Sequence, residues 1–167
     1  MTFPAGLFEA FETARHSIFR LETHQFYAGD PNYDRWVAGE PWQDTESKGH
    51  WCDLVRRRTS EGVSMQRVHI VEEPLSNYVR FELEWSYPPN VEAGEDVRIG
   101  VWADRRPSTT DFWLFDNAKV WAMQYDDEGK LLRVEQMVTS NSLDWARLHS
   151  GVALATSVPL AQYMAPA

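Results

Sequence analysis

The stretch Thr110–Val138 constrains the fold of this chain more than any other part of the sequence. It contains three runs rich in aromatic and aliphatic residues, separated by two short segments of turn-forming residues. Apolar residues occupy both faces of the middle run, so we expect its strand to be buried between two layers. The pattern predicts three strands joined by tight turns. The runs are Phe112–Phe115, Val120–Tyr125 and Leu131–Val138, and the turn segments are Asp116-Asn117 and Asp126–Gly129.

The N-terminal half contains both helical and strand patterns. Pro4–Ser17 has apolar residues at spacings of three and four, which predicts an amphipathic helix, and Ile18–Thr23 alternates as a strand does. A second helix is predicted over His50–Glu61, with Gly62 as its stop, and it is followed by a strand over Val63–Val71.

Residues 28–50 are predicted to form a polar loop that contains a short helix around Trp36. Long polar connections with isolated tryptophans are often lids or partner-binding segments. We therefore take Trp36, Trp42 and Trp51 as candidates for interaction with a partner. The alternative is a surface loop that its aromatic residues hold in place.

The segment Pro74–Tyr87 is compatible with two structures. Apolar residues alternate with charged ones, as in a strand, and this periodicity slightly favours a strand. A helical stripe is also present, and Glu73-Pro74 and Ser76 suit the start of a helix. In either case Pro88–Asn90 is expected to end the segment.

The remaining patterns complete one α/β domain. Val97–Ala103 is predicted to be a strand, and a last helix is expected to begin at Asn141 or Ser142 and to end at Pro159. The order of elements predicts a single domain over residues 1–167, with one mixed β-sheet flanked by helices. The α+β class is the alternative.

The composition argues against several functions. Twenty-five acidic residues against 16 basic ones give a formal charge of −9, whereas nucleic-acid surfaces need clustered Lys and Arg. We expect the basic run Arg56–Arg58 to be a solvated helix face. The single cysteine, Cys52, excludes an intramolecular disulfide and a cysteine-based zinc site.

The chain shows no membrane or export signal. No run of about 18 apolar residues is present, and the N-terminus lacks the basic flank and apolar centre of a signal peptide. We therefore expect a cytoplasmic protein.

From Trp51 onward, the order of elements resembles one half of the phospholipase D-like superfamily. The resemblance depends on the Gly94–Arg98 turn, the strand that ends at Asp116, and a closing helix before Pro159-Leu160. It implies that Pro74–Tyr87 is a helix and that residues 1–50 are an N-terminal extension. The superfamily uses an H-x-K-x4-D motif, but Thr109 and Asp111 occupy the His and Lys positions. A threonine hydroxyl cannot take the part of the attacking histidine, and a carboxylate repels the phosphoryl oxygens that the lysine neutralises. This chemistry is therefore not expected.

Five separated phrases resemble an uncharacterised family of small actinobacterial proteins, which are often encoded beside helix-turn-helix regulators. The resemblance runs nearly the whole length and implies an accessory partner of a DNA-binding regulator. It carries over no catalytic residue. The phrases are Arg20–Thr23, Glu73–Tyr78, Arg80–Leu83, Gly94–Arg98 and Asp111–Asp116.

Charged and aromatic residues near the strand ends are candidates for a ligand site. Arg, Asp and Glu side chains along one sheet edge, covered by Trp102 and Trp113, would form a pocket for a small polar or cationic ligand. The alternative is a structural network of ion pairs. The ligand-binding candidates are His69, Arg80, Glu82, Arg98, Trp102, Asp111, Trp113 and Asp116.

The five histidines have no spacing typical of metal ligands, so no metal and no cofactor is predicted. His69 is the best placed, although a lone strand histidine is more often a core residue. We expect a non-catalytic regulatory or interaction domain that acts with a helix-turn-helix transcriptional regulator and senses a small ligand. The alternatives are a small biosynthetic-cluster enzyme that uses an aromatic-lined Arg/Asp/Glu pocket, and a structural homodimer.

Overall fold

A computed structural model of the chain describes residues 3–102 and 110–166. Within these ranges the strands are β1 (Ser17–Glu22), β2 (Ser64–Val71), β3 (Asp96–Val101), β4 (Asp111–Phe115), β5 (Lys119–Tyr125), β6 (Leu131–Met137) and β7 (Val158–Pro159). The helices are α1 (Ala5–Thr13), α2 (Pro31–Val37), α3 (Glu46–Ser60), α4 (Asn77–Phe81), α5 (Tyr87–Ala93), α6 (Ser140–Thr156) and α7 (Leu160–Tyr163). None of the described helices is long and apolar enough to cross a membrane.

The strands form one mixed sheet in the order β6-β5-β4-β1-β2-β3-β7. Strands β1, β2 and β3 are parallel neighbours, whereas β4 pairs antiparallel with the other side of β1. Strands β4, β5 and β6 follow one another as an antiparallel meander. The predicted α/β class, with a single mixed sheet flanked by helices, is therefore confirmed, and so is the meander.

The turn between β4 and β5 depends on two residues with left-handed backbone conformations. Asp116 and Asn117 have φ angles of 51° and 53°, which short polar side chains tolerate better than most others. Two such residues in succession form the kind of turn that matches the twist of a hairpin. The predicted turn at Asp116-Asn117 is thus present and tight.

The segment after β2 is helical, so the strand favoured by its periodicity is wrong. Helix α4 leads into a π-helical turn at Glu82–Ser86 and then into α5. The Oγ of Ser76 caps α4 by accepting a hydrogen bond from the amide of Val79 at 3.1 Å. Parallel strands need a crossover, usually helical, and this one joins β2 to β3. The phospholipase D-like resemblance had implied this helix.

The prolines do not end this helical segment as predicted. Pro88 and Pro89 fall in the first turn of α5, where a missing amide hydrogen costs little. Gly94, with a φ of 114°, ends the helix instead.

Two predicted helix starts shift, and one short strand was not predicted. Helix α3 begins at Glu46 rather than His50, because Thr45 caps it, and α6 begins at Ser140, capped by Thr139 rather than by Asn141 or Ser142. Strand β7 was missed, because two residues are too few to show a period. Ala103 of the predicted strand, and residues 105–109 of the loop that follows it, lie outside the described residues.

The two faces of the sheet are covered by different helices. On one face, Phe11 of α1 packs against Trp113 and Phe115 with ring centroids 4.8 and 5.0 Å apart, and α3 joins the same cluster. We call this the α1–α3 face. On the other face, α6 packs against the sheet through Trp145, whose ring lies 5.1 Å from Phe112.

The basic run on α3 is only partly solvated. Arg56 and Arg57 are exposed and pair with Asp53 and Glu12 at 2.9 and 2.7 Å. Arg58 is buried and donates to the carbonyl of Ala14. The expected solvated face therefore holds for the first two arginines and is wrong for the third.

Candidate functional site

A group of buried charged side chains lies on the α1–α3 face, near the carboxyl ends of β1 and β2. Ligands in open α/β sheets commonly bind at such strand ends. We call this group the buried ionic cluster. Its members are Arg20, Glu22, Arg67, His69, Glu82, Glu95 and Asp111.

Strand alternation places these residues together. On β1, Phe19 and Leu21 face α6, so Arg20 and Glu22 face α1 and α3. Parallel pairing then sets Arg67 of β2 level with Arg20.

Asp111 holds the edge of the cluster nearest β4. Because β4 is antiparallel to β1, its first residue lies beside the end of β1. Its Oδ1 accepts hydrogen bonds from the amide and the hydroxyl of Thr23, both at 2.8 Å. Its Oδ2 accepts from Arg20 at 3.1 Å and from the hydroxyl of Tyr27 at 2.5 Å. Every oxygen of this fully buried carboxylate is satisfied, so Asp111 anchors the strand end.

Glu22 lies between the two buried arginines. Its Oε1 is 2.5 Å from Nη1 of Arg67 and 3.5 Å from Nε of Arg20, and its Oε2 accepts from the hydroxyl of Tyr87 at 2.8 Å. Burial alone would raise the pKa of Glu22, but the charges of Arg67 and Arg20 lower it to about 2. Glu22 is therefore ionised at neutral pH.

His69 and Glu82 are buried beside each other. Nε2 of His69 is 2.7 Å from the carbonyl oxygen of His24, which can only accept, so Nε2 carries a proton. Nδ1 lies 2.7 Å from the hydroxyl of Tyr87 and 3.1 Å from Oε2 of Glu82. Burial would lower the pKa of His69, but the carboxylate of Glu82 raises it to about 9. Burial also raises the pKa of Glu82.

A pocket of about 490 Å³ opens on the α1–α3 face above this cluster. Its walls are mainly aromatic and aliphatic, and its floor carries the charged groups of Arg20, Glu22 and Arg67. Glu12, Ser47 and His50 also contribute to the lining. An apolar hollow with a few polar groups at its base is the usual form of a small-molecule site. The walls include Phe8, Phe11, Trp51, Leu54, Trp113 and Met123.

Arg67 supplies the unpaired donor of the pocket floor. Its Nη1 and Nε bind Glu22 and Glu95, at 2.5 and 2.9 Å. Its Nη2 has no hydrogen-bond partner among the described residues, yet it is not one of the fully buried unpaired atoms. The guanidinium also lies 5.6 Å from the ring centre of Trp51 and 5.7 Å from that of Trp113. It is thus fixed in place while one nitrogen stays open to a ligand.

The structure brings four of the eight sequence-predicted ligand residues together. His69, Glu82 and Asp111 belong to the buried ionic cluster, and Trp113 forms part of the pocket wall. Whether these four bind a ligand stays a prediction.

The other four candidates lie elsewhere. The prediction that all eight share one sheet edge is therefore wrong. Arg80 is exposed on α4, and Arg98 binds Ser157 at the far end of β3. Trp102 directly follows β3 and packs on the α6 face, opposite Trp113. Asp116, at the other end of β4 from Asp111, binds the amides of residues 15–17.

The three tryptophans taken as interaction candidates occupy different surroundings. Trp36 donates to Glu84 at 2.9 Å, and Trp42 donates to Asp44 and packs edge-on against Trp85. Trp51 lines the pocket and donates to Glu95 at 3.1 Å.

Sequence reasoning did not single out Arg20, Glu22, Tyr27 or Tyr87. The pattern of β1 suggests an exposed polar side, because Arg20 and Glu22 alternate with apolar residues. Ile18, on the same side of the strand, is the available signal that this face is buried.

Together the fold and the site define a class: a mixed-sheet α/β protein with an aromatic pocket above a buried ionic cluster. Residues 5–165 match the family described as a domain of unknown function, DUF6879, and the chain belongs to this family. No curated protein matches the chain. The predicted membership of an uncharacterised family is confirmed at this level.

Proposed function

We propose that the chain is a regulatory domain that binds a small molecule in the pocket between α1, α3 and the sheet. The observation that carries this proposal is the open Nη2 of Arg67 at the floor of an aromatic pocket. A hydrogen-bond donor without a protein partner, held by stacking and ion pairs, is an orientation point for a ligand.

The ligand chemistry follows from the floor and the walls. All the nitrogens of Arg20 have partners, and both oxygens of Glu22 already accept hydrogen bonds. The open group is therefore a cationic donor, and it fits a carboxylate, sulfonate or carbonyl oxygen. The aromatic walls fit a flat apolar body. This differs from the polar or cationic ligand expected from the sequence.

Helix α1 gives a route from the pocket to a partner. Phe8 lies on the pocket rim and is 57% exposed, and its ring packs edge-on against Phe3. A ligand that contacts Phe8 and Phe11 changes the surface that α1 presents.

We propose that the partner is a helix-turn-helix regulator. The resemblance to the actinobacterial family supports this partner, and so does the charge of −9, which complements a basic DNA-binding surface. We also propose a cytoplasmic location and a degenerate phospholipase D-like core. The order of elements after Trp51 supports such a core.

The enzyme alternative has weaker support at this pocket. A general base works best when its pKa lies near the working pH. Glu22, the carboxylate of the floor, has a pKa of about 2 and is held by two arginines. The floor is therefore better suited to holding a ligand than to accepting its proton.

The pocket can be tested with anilinonaphthalene sulfonate, a fluorescent aromatic anion, and with its uncharged analogue N-phenylnaphthylamine. We expect saturable binding of both to the folded chain, with the sulfonate favoured. Phe8→Ala removes part of the wall and should weaken binding about fivefold. Leu148→Ala is the matched control, because Leu148 is 64% exposed on α6 and should leave binding unchanged. Equal effects of the two variants would contradict the assignment.

The contribution of Arg67 can be separated from that of the walls. Arg67→Lys keeps the charge but loses the fork of nitrogens. We expect it to reduce the preference for the sulfonate over the uncharged analogue, while binding of the analogue stays the same. An unchanged preference in a folded variant would exclude Nη2 as the recognition group.

The partner can be tested by mixing the chain with a helix-turn-helix regulator whose gene lies next to its own. We expect a complex in sedimentation experiments that weakens as salt is raised, because screening reduces the attraction between opposite charges. The chain alone should not shift DNA. Failure to associate at low salt would rule out this partner without bearing on the pocket.

A further inference from the structure

Three side chains that commonly bind metals converge behind the pocket. Glu22 of β1, His69 of β2 and Glu82 of the π-helical turn each offer a ligand atom, and these atoms lie within 4.8 Å of one another. All three residues are buried. The spacing in the chain gives no sign of this convergence, because the residues come from three separate elements.

The hydrogen bonding of His69 suits a metal ligand. Nε2–H donates to the carbonyl of His24 at 2.7 Å, which fixes the ring and leaves Nδ1 facing the two carboxylates. Ligand histidines are usually oriented in this way by a hydrogen bond from their second nitrogen.

Glu82 provides an independent observation. Its Oε2 is buried and accepts no hydrogen bond from the residues that the structure describes, although it lies 3.1 Å from Nδ1 of His69. A buried carboxylate oxygen without a donor costs free energy unless a cation or a proton compensates it. Glu82 also begins a π-helical turn, a local irregularity that is frequent at functional sites.

The charges around these residues leave room for a cation. Within the buried ionic cluster, two arginines and the protonated form of His69 face four carboxylates, so negative charge is in excess. The carboxylates are those of Glu22, Glu82, Glu95 and Asp111. Both arginines bind Glu22 through Oε1, whereas Oε2 accepts from the hydroxyl of Tyr87. Oε2 is therefore the atom of Glu22 that neither arginine binds.

We propose that Glu22, His69 and Glu82 bind one divalent transition-metal ion of the zinc class. One imidazole nitrogen with carboxylate oxygens suits Zn²⁺ or Co²⁺ better than Mg²⁺ or Ca²⁺, which prefer oxygen ligands throughout. The ion replaces the contact between Nδ1 and Tyr87, whose hydroxyl then borders the site. The sequence predicted no metal, since neither carboxylate lies at a recognisable spacing from His69. The metal site shares only Glu22 with the floor of the ligand pocket, because His69 and Glu82 do not line that pocket.

The test uses the full chain, treated with a chelator and then titrated with Zn²⁺ or Co²⁺. We expect one ion per chain by elemental analysis, and a visible absorption band from bound Co²⁺. Glu82→Gln and His69→Gln should each weaken Co²⁺ binding by about tenfold or more. The matched controls are Glu84→Gln and His50→Gln, which change the same residue types outside the cluster and should leave affinity unchanged.

Two measurements on the wild-type chain test the metal site even if a variant does not fold. Zn²⁺ should raise the melting temperature of the wild-type chain, and Co²⁺ should be displaced by Zn²⁺ stoichiometrically. If the folded wild-type chain binds neither ion, or if the controls lose as much affinity as the cluster variants, the metal site is wrong. In that case the contact between Nδ1 of His69 and Oε2 of Glu82 is a hydrogen bond in which the two side chains share a proton. Binding of the aromatic sulfonate to metal-free protein tests the pocket separately.

Discussion

At the scale of single residues, Arg67 is the side chain on which the site depends most. It binds Glu22 and Glu95, stacks between two tryptophans, and leaves Nη2 for a ligand. The sequence indicates that Arg67 lies on the predicted strand Val63–Val71. It could not show that Arg67 is buried, because its partners come from β1 and from the start of β3.

Removal of the charge of Arg67 should destabilise the fold strongly. Arg67→Met leaves the carboxylates of Glu22 and Glu95 buried near one another with too few donors, which costs about 3 kcal/mol or more. Arg67→Lys keeps a positive charge and should cost about half as much. Urea unfolding measures both. Equal stability of the two variants would mean that the buried charges are not coupled.

Asp116 should make stability depend on pH. Burial raises its pKa, but the amides of Ser17, Arg15 and His16 donate to its carboxylate and lower the pKa overall. A lowered folded-state pKa contributes stability above the unfolded-state pKa, and this stability is lost as pH falls through the folded-state pKa. Asp116→Asn should therefore cost about 1 kcal/mol at neutral pH and progressively less in acid. A difference that stays constant with pH would contradict this role.

At the scale of elements, local patterns were informative wherever one face of a strand or helix meets the core. The meander, α1 and β2 follow directly from periodicity and turn residues. The segment after β2 was ambiguous, because both of its interpretations bury apolar residues. The segment forms a helix because it connects the parallel strands β2 and β3. The pairing of β2 with β3 is a long-range contact, which local sequence patterns do not show.

The turn between β5 and β6 packs closely on the loop after β1. Gly129 has a φ of 74°, and a Cβ at this position would lie 2.5 Å from the carbonyl oxygen of Phe26. Gly129→Ala should therefore cost about 3 kcal/mol, because it adds a clash to backbone strain.

Gly39→Ala is the matched control for Gly129. Gly39 has a similar φ of 69°, but nothing lies within 4 Å of a Cβ placed there. It should cost about 1 kcal/mol, from the left-handed conformation alone. Thermal unfolding of the two variants compares the effects, and equal losses would show that the loop after β1 moves away easily.

At the scale of the whole molecule, the two faces of the sheet have different chemistry. The α6 face is an apolar core, whereas the α1–α3 face combines aromatic packing with buried charge. The expectation of an Arg/Asp/Glu group with a tryptophan nearby had the right residue types. Four of its eight members lie elsewhere, because sheet order and strand direction decide which residues meet: Asp111 and Asp116 lie at opposite ends of β4.

Binding of a ligand in the pocket can be observed directly through the NMR signals of the tryptophan indole groups. Trp51 and Trp113 line the pocket, whereas Trp42, Trp85 and Trp145 do not. We would record the indole N–H resonances of isotope-labelled protein while adding anilinonaphthalene sulfonate. We expect saturable shifts at Trp51 and Trp113, with Trp85 and Trp145 unchanged. Shifts spread over all the tryptophans, or confined to those outside the pocket, would contradict it.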